Sequence, residues 1–87
     1  MQIQTEAFLL GKQNIHSTKS GKDFVKFSMI IEGDFCSFFT RAQEGGEIAK
    51  AKPCVDFEKT HNPTKCVATI EFKFTDKGVY ADLRGIS

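Results

Sequence analysis

Apolar and polar residues alternate with a period of two in short runs from Gln2 to Ile86, and no long window repeats with the 3.6-residue period of a helix. The pattern predicts strands throughout. Residues 65–75 alternate most clearly, with Cys66, Ala68, Ile70, Phe72 and Phe74 on one face and Lys65, Thr69, Glu71 and Lys73 on the other. Residues 22–32 place Val25, Phe27, Met29 and Ile31 together, which is what a core requires, and leave Phe24, Lys26 and Ser28 to face something else. On the last run, residues 79–86, Val79, Ala81 and Leu83 are expected inward and Tyr80, Asp82 and Arg84 outward. Between them, residues 34–42 put Phe35, Phe39 and Arg41 on one face and Cys36 and Phe38 on the other, and alternation alone does not say which is core.

Turn chemistry divides the runs. Residues 2–15 are too long for one flat strand and are apolar on both faces around Ala7, Phe8, Leu9 and Leu10, so Gly11 is the expected bend. Residues 17–21 form a loop, Gly33-Asp34 suits a two-residue hairpin turn with glycine first, and Asp76-Lys77-Gly78 suits a three-residue one with its glycine in the left-handed region. Residues 44–53 have loop ends and at most one helical turn, and are expected to connect rather than to pack. Residues 54–59 can form a short strand closed by the turn His61-Asn62-Pro63, because a residue before proline avoids the helical region. The expected fold is all-β: residues 1–87 as a single small antiparallel OB-like barrel of five to six strands, with a long C-terminal hairpin. An SH3-like barrel is the second choice.

Composition narrows the function. A chain of 87 residues has a thin core, yet nine phenylalanines and 40% hydrophobic residues argue for a folded domain rather than disorder. Three cysteines, Cys36, Cys54 and Cys66, without a C-x-x-C spacing fit a reducing cytoplasm better than a disulfide framework. No apolar run approaches the ~20 residues that span a bilayer, and the N-terminus lacks a signal-peptide pattern, so neither a membrane nor secretion is expected. No nucleophile-elbow, zincin, phosphate-loop or paired-acid motif is present, so catalysis is not expected, and no cofactor is implied. His61, Cys54 and Cys66 could be drawn as zinc ligands, but Cys66 alternates with Ala68 and Ile70 and reads more simply as a small core residue. No metal is expected.

A net charge of +1 gives no overall attraction to a polyanion, but the charges are unevenly spread. Lys12, Lys19, Lys22 and Lys26 stand against Asp23 alone, whereas Glu32, Asp34, Glu44 and Glu47 stand against Arg41. Lysines on a loop neutralise phosphates, and an aromatic side chain on the adjoining strand stacks on an unpaired base of any identity. Phe24 is placed for that role and Tyr80 is a second candidate platform, although lysines on a loop also serve solubility. The competing class is a protein-binding adaptor or inhibitor that uses the acidic segment of residues 32–47 as its contact.

The stretch SGKDFVKFSMIIEGDF, residues 20–35, resembles the glycine-lysine-x-aromatic start of the second strand in the gene V type single-stranded DNA-binding proteins of filamentous bacteriophages. That resemblance implies an OB-type barrel, a basic wing formed by the first hairpin loop, and a C-terminal hairpin that supports a homodimer and carries a DNA-contacting arginine. Lys19, Lys22 and Phe24 fall on the wing pattern, and Arg84, six residues beyond Gly78, falls on the arginine position. The expected partner is single-stranded DNA, with RNA not distinguished, and the expected role is in phage or plasmid replication. The hairpin is also long for so small a body, which places the expected dimer contact at Phe72, Phe74 and Val79.

Overall fold

The chain is described by a computed structural model over residues 1–57 and 62–87. Five antiparallel strands, β1 (Gln2–His16), β2 (Asp23–Ile31), β3 (Asp34–Arg41), β4 (Thr64–Thr75) and β5 (Gly78–Ile86), form one sheet in the order β3-β2-β1-β4-β5. A helix, α1 (Ala42–Ile48), lies between β3 and β4 in sequence. The sheet curls into an OB-like half-barrel with β3 and β5 as its two edges, so the all-β expectation holds.

β1 makes the curl possible. Its first half pairs with β4, from Gln2 opposite Glu71 to Leu9 opposite Thr64, and its second half pairs with β2 as far as His16 opposite Asp23. The ladder to β2 skips Leu10, because Leu9 faces Met29 and Gly11 faces Ser28. This bulge lies at the expected bend, and Gly11 takes φ 143°, a region that a side chain disfavours. The inner face then closes on a core of Ala7, Leu9, Val25, Phe27, Met29, Cys66, Ala68, Ile70, Leu83 and Ile86. Burying each large side chain contributes ~1.5–3 kcal/mol, and Phe27, Leu9 and Met29 are the largest that are fully enclosed. Burial pushes the thiols of both Cys54 and Cys66 above their ordinary pKa.

Three expectations are corrected. The β2–β3 turn is Glu32-Gly33, not Gly33-Asp34: both residues have positive φ, 51° and 84°, a twist that matches the flanking strands, and Asp34 already pairs with Ile31. The segment expected only to connect instead packs, since α1 seats Gly45 against Val25 and Thr40. Of the strand expected over residues 54–59, the described residues 54–57 show one parallel bridge, Lys12 to Asp56, with Lys12 N–H donating to Val55 O at 2.9 Å and Phe57 N–H to Lys12 O at 2.9 Å. Glu58, Lys59 and His61 lie outside the described residues.

The C-terminal hairpin follows the sequence reading more closely. Its turn is the two residues Asp76 and Lys77 rather than the three expected, because Gly78, at φ 131°, already pairs with Thr75, and Thr75 Oγ1 donates to Gly78 O at 3.1 Å while accepting from Lys77 N–H at 3.2 Å. Val79 and Phe74 point inward by alternation, yet both lie beyond the end of the barrel and are exposed. No helix among the described residues is long and apolar enough to cross a membrane.

Candidate nucleic-acid interface

Because Val25, Phe27 and Met29 face the core, Phe24, Lys26, Ser28 and Ile30 have the outward parity on β2. Directly opposed residues point the same way, so the ladders build the outer surface in rows. Ile15, Phe24 and Arg41 form the first row; Gln13, Lys26 and Phe39 form the second. Gly11, Ser28 and Ser37 make a third row of small residues, and Phe8, Ile30 and Phe35 a fourth. The buried Thr40, which donates to Val25 O at 3.1 Å, decides the question left open for β3: Phe35, Phe39 and Arg41 face outward.

The first two rows form a checkerboard of rings and cations. The Arg41 guanidinium lies 5.6 Å from the centre of the Phe24 ring, and Lys26 Nζ lies 5.8 Å from that of Phe39. Cation–π pairs at exposed sites are worth only ~0.5–1 kcal/mol, so a flat, neutral base can take over either ring with little penalty. Phe39 is 60% exposed, more than a side chain needed for packing would be. Phe24 and Phe39 line one wall of a cavity of about 350 Å³ on the seam between β3 and β5. Phe24 also lines a second cavity with Ile15, His16 and Asp23, which links the seam to the base of the β1–β2 loop.

That loop is ordered by its own backbone. Ser17 N–H donates to Lys22 O at 2.9 Å, Gly21 N–H donates to Ser17 O at 2.8 Å, and Gly21 has φ 68°. At its base His16 Nδ1 lies 2.6 Å from Asp23 Oδ1. Lys19 and Lys22 are exposed on it and have no ion-pair partner among the described residues.

Other expected site residues are placed differently. The bulge reverses the parity of β1, so Lys12 pairs with Phe27, turns toward the inner side and bonds Asp56 Oδ1 at 2.8 Å. Its charge is neutralised away from the outer face. Ser28 keeps the outward parity but is buried, so it forms floor rather than contact surface. Tyr80 is exposed on the outer face opposite Lys73, but it does not line the Phe24–Phe39 cavity. Arg84 does line it, at the β4–β5 bulge where Thr69 pairs with Gly85 and Ile70 with Leu83.

The surroundings of Arg84 are acidic. Its guanidinium donates to Glu71 Oε1 at 3.2 Å and lies 3.7 Å from both Glu44 and Asp82. The hydrogen bonds from Arg84 and then from Gln2 hold the Glu71 carboxyl below the ordinary range, and the same Arg84–Glu71 bond keeps the guanidinium still more firmly protonated.

Phe39 and Arg41 are not among the residues that the sequence singles out for binding. The signal is there nonetheless: any two-residue turn near Gly33 sets odd residues of β3 opposite even residues of β2, which gives Phe35, Phe39 and Arg41 the face of Phe24 and Lys26. No group of three His, Cys, Asp or Glu side chains among the described residues is placed to hold a metal. Known protein families, curated proteins and solved structures give no match to this chain.

Proposed function

We propose that this chain is a non-catalytic protein that binds single-stranded DNA without sequence specificity, stacking bases on Phe24 and Phe39 and neutralising phosphates with Lys19, Lys22, Lys26 and Arg41. The observation that carries the reading is the checkerboard on β2 and β3, where each ring has a cation directly across the ladder. A strand of nucleic acid has the same alternation of flat base and charged phosphate, and stacking is indifferent to which base is present. The resemblance of residues 20–35 to the gene V type proteins of filamentous bacteriophages agrees with it and suggests a role in phage or plasmid replication in the cytoplasm. By the same resemblance the chain acts as a homodimer, and the reach of the hairpin beyond the barrel puts the contact at Phe72, Phe74 and Val79, of which Phe74 is 68% and Val79 60% exposed in the single chain.

A second reading, a protein-binding barrel, has one observation in its favour. The row of Phe8, Ile30 and Phe35 is apolar, and a cavity of about 550 Å³ beside it is flanked by Glu6 and Glu32, a surface that repels phosphate.

Fluorescence anisotropy of a labelled oligo(dT), titrated at two salt concentrations, separates the two. The DNA reading expects binding to the wild type, and a log–log salt slope that becomes shallower by ~0.7 for each phosphate left unneutralised in Lys19→Ala and Lys22→Ala. No binding at low salt leaves the protein-binding reading. Oligo(rU) titrated alongside reports on RNA, since stacking and charge alone do not sense a 2′-hydroxyl.

A further inference from the structure

The cavity that holds Phe24 and Phe39 has a second wall of opposite character. Across the β3–β5 seam it is lined by Glu44 from α1, Lys73 from β4, and Asp82 and Arg84 from β5. Arg84 is surrounded by Glu71, which lies behind the cavity lining, and by Glu44 and Asp82, and Lys73 Nζ lies 3.3 Å from Asp82, so this cluster of three carboxylates and two cations sums to −1. The facing wall carries Arg41 and the rings.

Resting on the single-strand reading above, we propose that Glu44 and Asp82 withhold Arg84 from a bound strand and fix how the strand lies, with bases turned into the cavity and phosphates turned out toward the β1–β2 loop. The Glu44 and Asp82 carboxylates are more exposed than the Arg84 guanidinium, 63% and 42% against 33%, and repel a phosphate that enters the cavity, whereas a neutral base meets no such penalty and gains the rings. Arg84 has three carboxylate partners within reach, and breaking a charged hydrogen bond such as that to Glu71 must be offset by any new contact. The arginine therefore serves to hold α1, β4 and β5 together at the cavity wall. Its charge is neutralised inside the protein, and binding is weaker than the chain's cations alone would give.

The test is a double-mutant cycle on the full chain, read by anisotropy of labelled oligo(dT) at about 50 mM and about 200 mM salt. Glu44→Gln with Asp82→Asn leaves Glu71 alone against Lys73 and Arg84, which turns the cluster from −1 to +1 while Arg84 keeps its 3.2 Å bond. The expected results are that Arg84→Ala alone changes affinity by less than about twofold, and that the neutralised pair binds more tightly with a slope steeper by about 0.7, which widens the gap between the two salts by about 2.6-fold for one added phosphate. Arg84→Ala placed on the neutralised pair should abolish that gain. If the double variant melts below the assay temperature, Glu44→Gln alone, at a side chain 63% exposed, shows the same direction at smaller size.

A drop in affinity and a shallower slope in Arg84→Ala alone would show that the arginine already touches phosphate and overturn the inference. So would a neutralised pair that binds no more tightly than the wild type, or a gain that survives removal of Arg84. Any of these outcomes leaves the single-strand reading intact as long as the wild type binds. A wild type that does not bind removes both.

Discussion

Two adjacent glycines in α1 should respond to the same substitution with opposite sign. A Cβ at Gly45 would overlap Thr40 Oγ1 and come within 2.7 Å and 2.8 Å of Val25 Cβ and Cγ2, whereas one at Gly46 meets nothing within 4 Å. Alanine in place of a helical glycine gains up to ~1 kcal/mol at either position. At Gly45 that gain is opposed by ~1–3 kcal/mol of overpacking against a core valine. It is opposed further by ~0.5–1.5 kcal/mol if Thr40 loses its buried bond to Val25 O. Gly46→Ala is therefore expected to stabilise by ~0.5–1 kcal/mol, and Gly45→Ala to destabilise by ~0.5–4 kcal/mol. The difference between the two cancels helix propensity and isolates the seating of α1 on β2 and β3. Thermal melting followed by circular dichroism reads it directly: at ~4–8 °C per kcal/mol for a domain of this size, the two midpoints should lie at least ~4 °C apart, with Gly46→Ala the higher. Equal shifts in the two variants would refute the packing of α1 and, with it, the position of Glu44 in the cavity wall.

Phe39→Ala and Phe24→Ala should each weaken oligo(dT) binding by ~1–3 kcal/mol in anisotropy titrations, and Phe39→Ala should leave the melting midpoint nearly unchanged because the ring is exposed. The Glu71 carboxyl has a depressed pKa in the folded chain, so its contribution to stability is fully present above the unfolded value near ~4.3 and is lost as pH falls through the folded value. Urea unfolding of the wild type and of Glu71→Gln should accordingly differ at neutral pH and converge in acid, whereas a constant offset across the range would deny the Arg84–Glu71 bond. Sedimentation equilibrium at micromolar concentration should give a mass twice 9.7 kDa for the wild type and 9.7 kDa for Phe74→Asp, while a wild-type mass of 9.7 kDa throughout would remove the homodimer.

Much of the fold is legible in the sequence because its cues are local. Period-two alternation locates the strands, Gly11 marks the bulge in β1, and Gly78 marks the C-terminal turn. Less legible is what depends on which residues are skipped or joined across space. The bulge omits Leu10 from the ladder, reverses the parity of β1 and sends Lys12 to Asp56 instead of to the outer face. The β2–β3 turn lies one residue earlier than its glycine suggests because Glu32 adopts a positive φ, which a glutamate favours little. In α1, two glycines and no side-chain cap lower helix propensity, and the helix owes its stability to tertiary contact at Gly45. The acids gathered around Arg84 come from α1, β4 and β5, and no spacing in the sequence announces them.

If the outer face of β2 and β3, continued by the β1–β2 loop, is where a single strand lies, then backbone amide NMR of the ¹⁵N-labelled chain titrated with a short oligo(dT) will show it residue by residue. Saturable shifts are predicted at Lys19, Lys22, Phe24, Lys26, Phe39 and Arg41, with little change at Phe8, Ile30 and Phe35. Shifts confined to the Phe8–Ile30–Phe35 row or to the β4–β5 hairpin, or none at low salt, would contradict that placement of the strand.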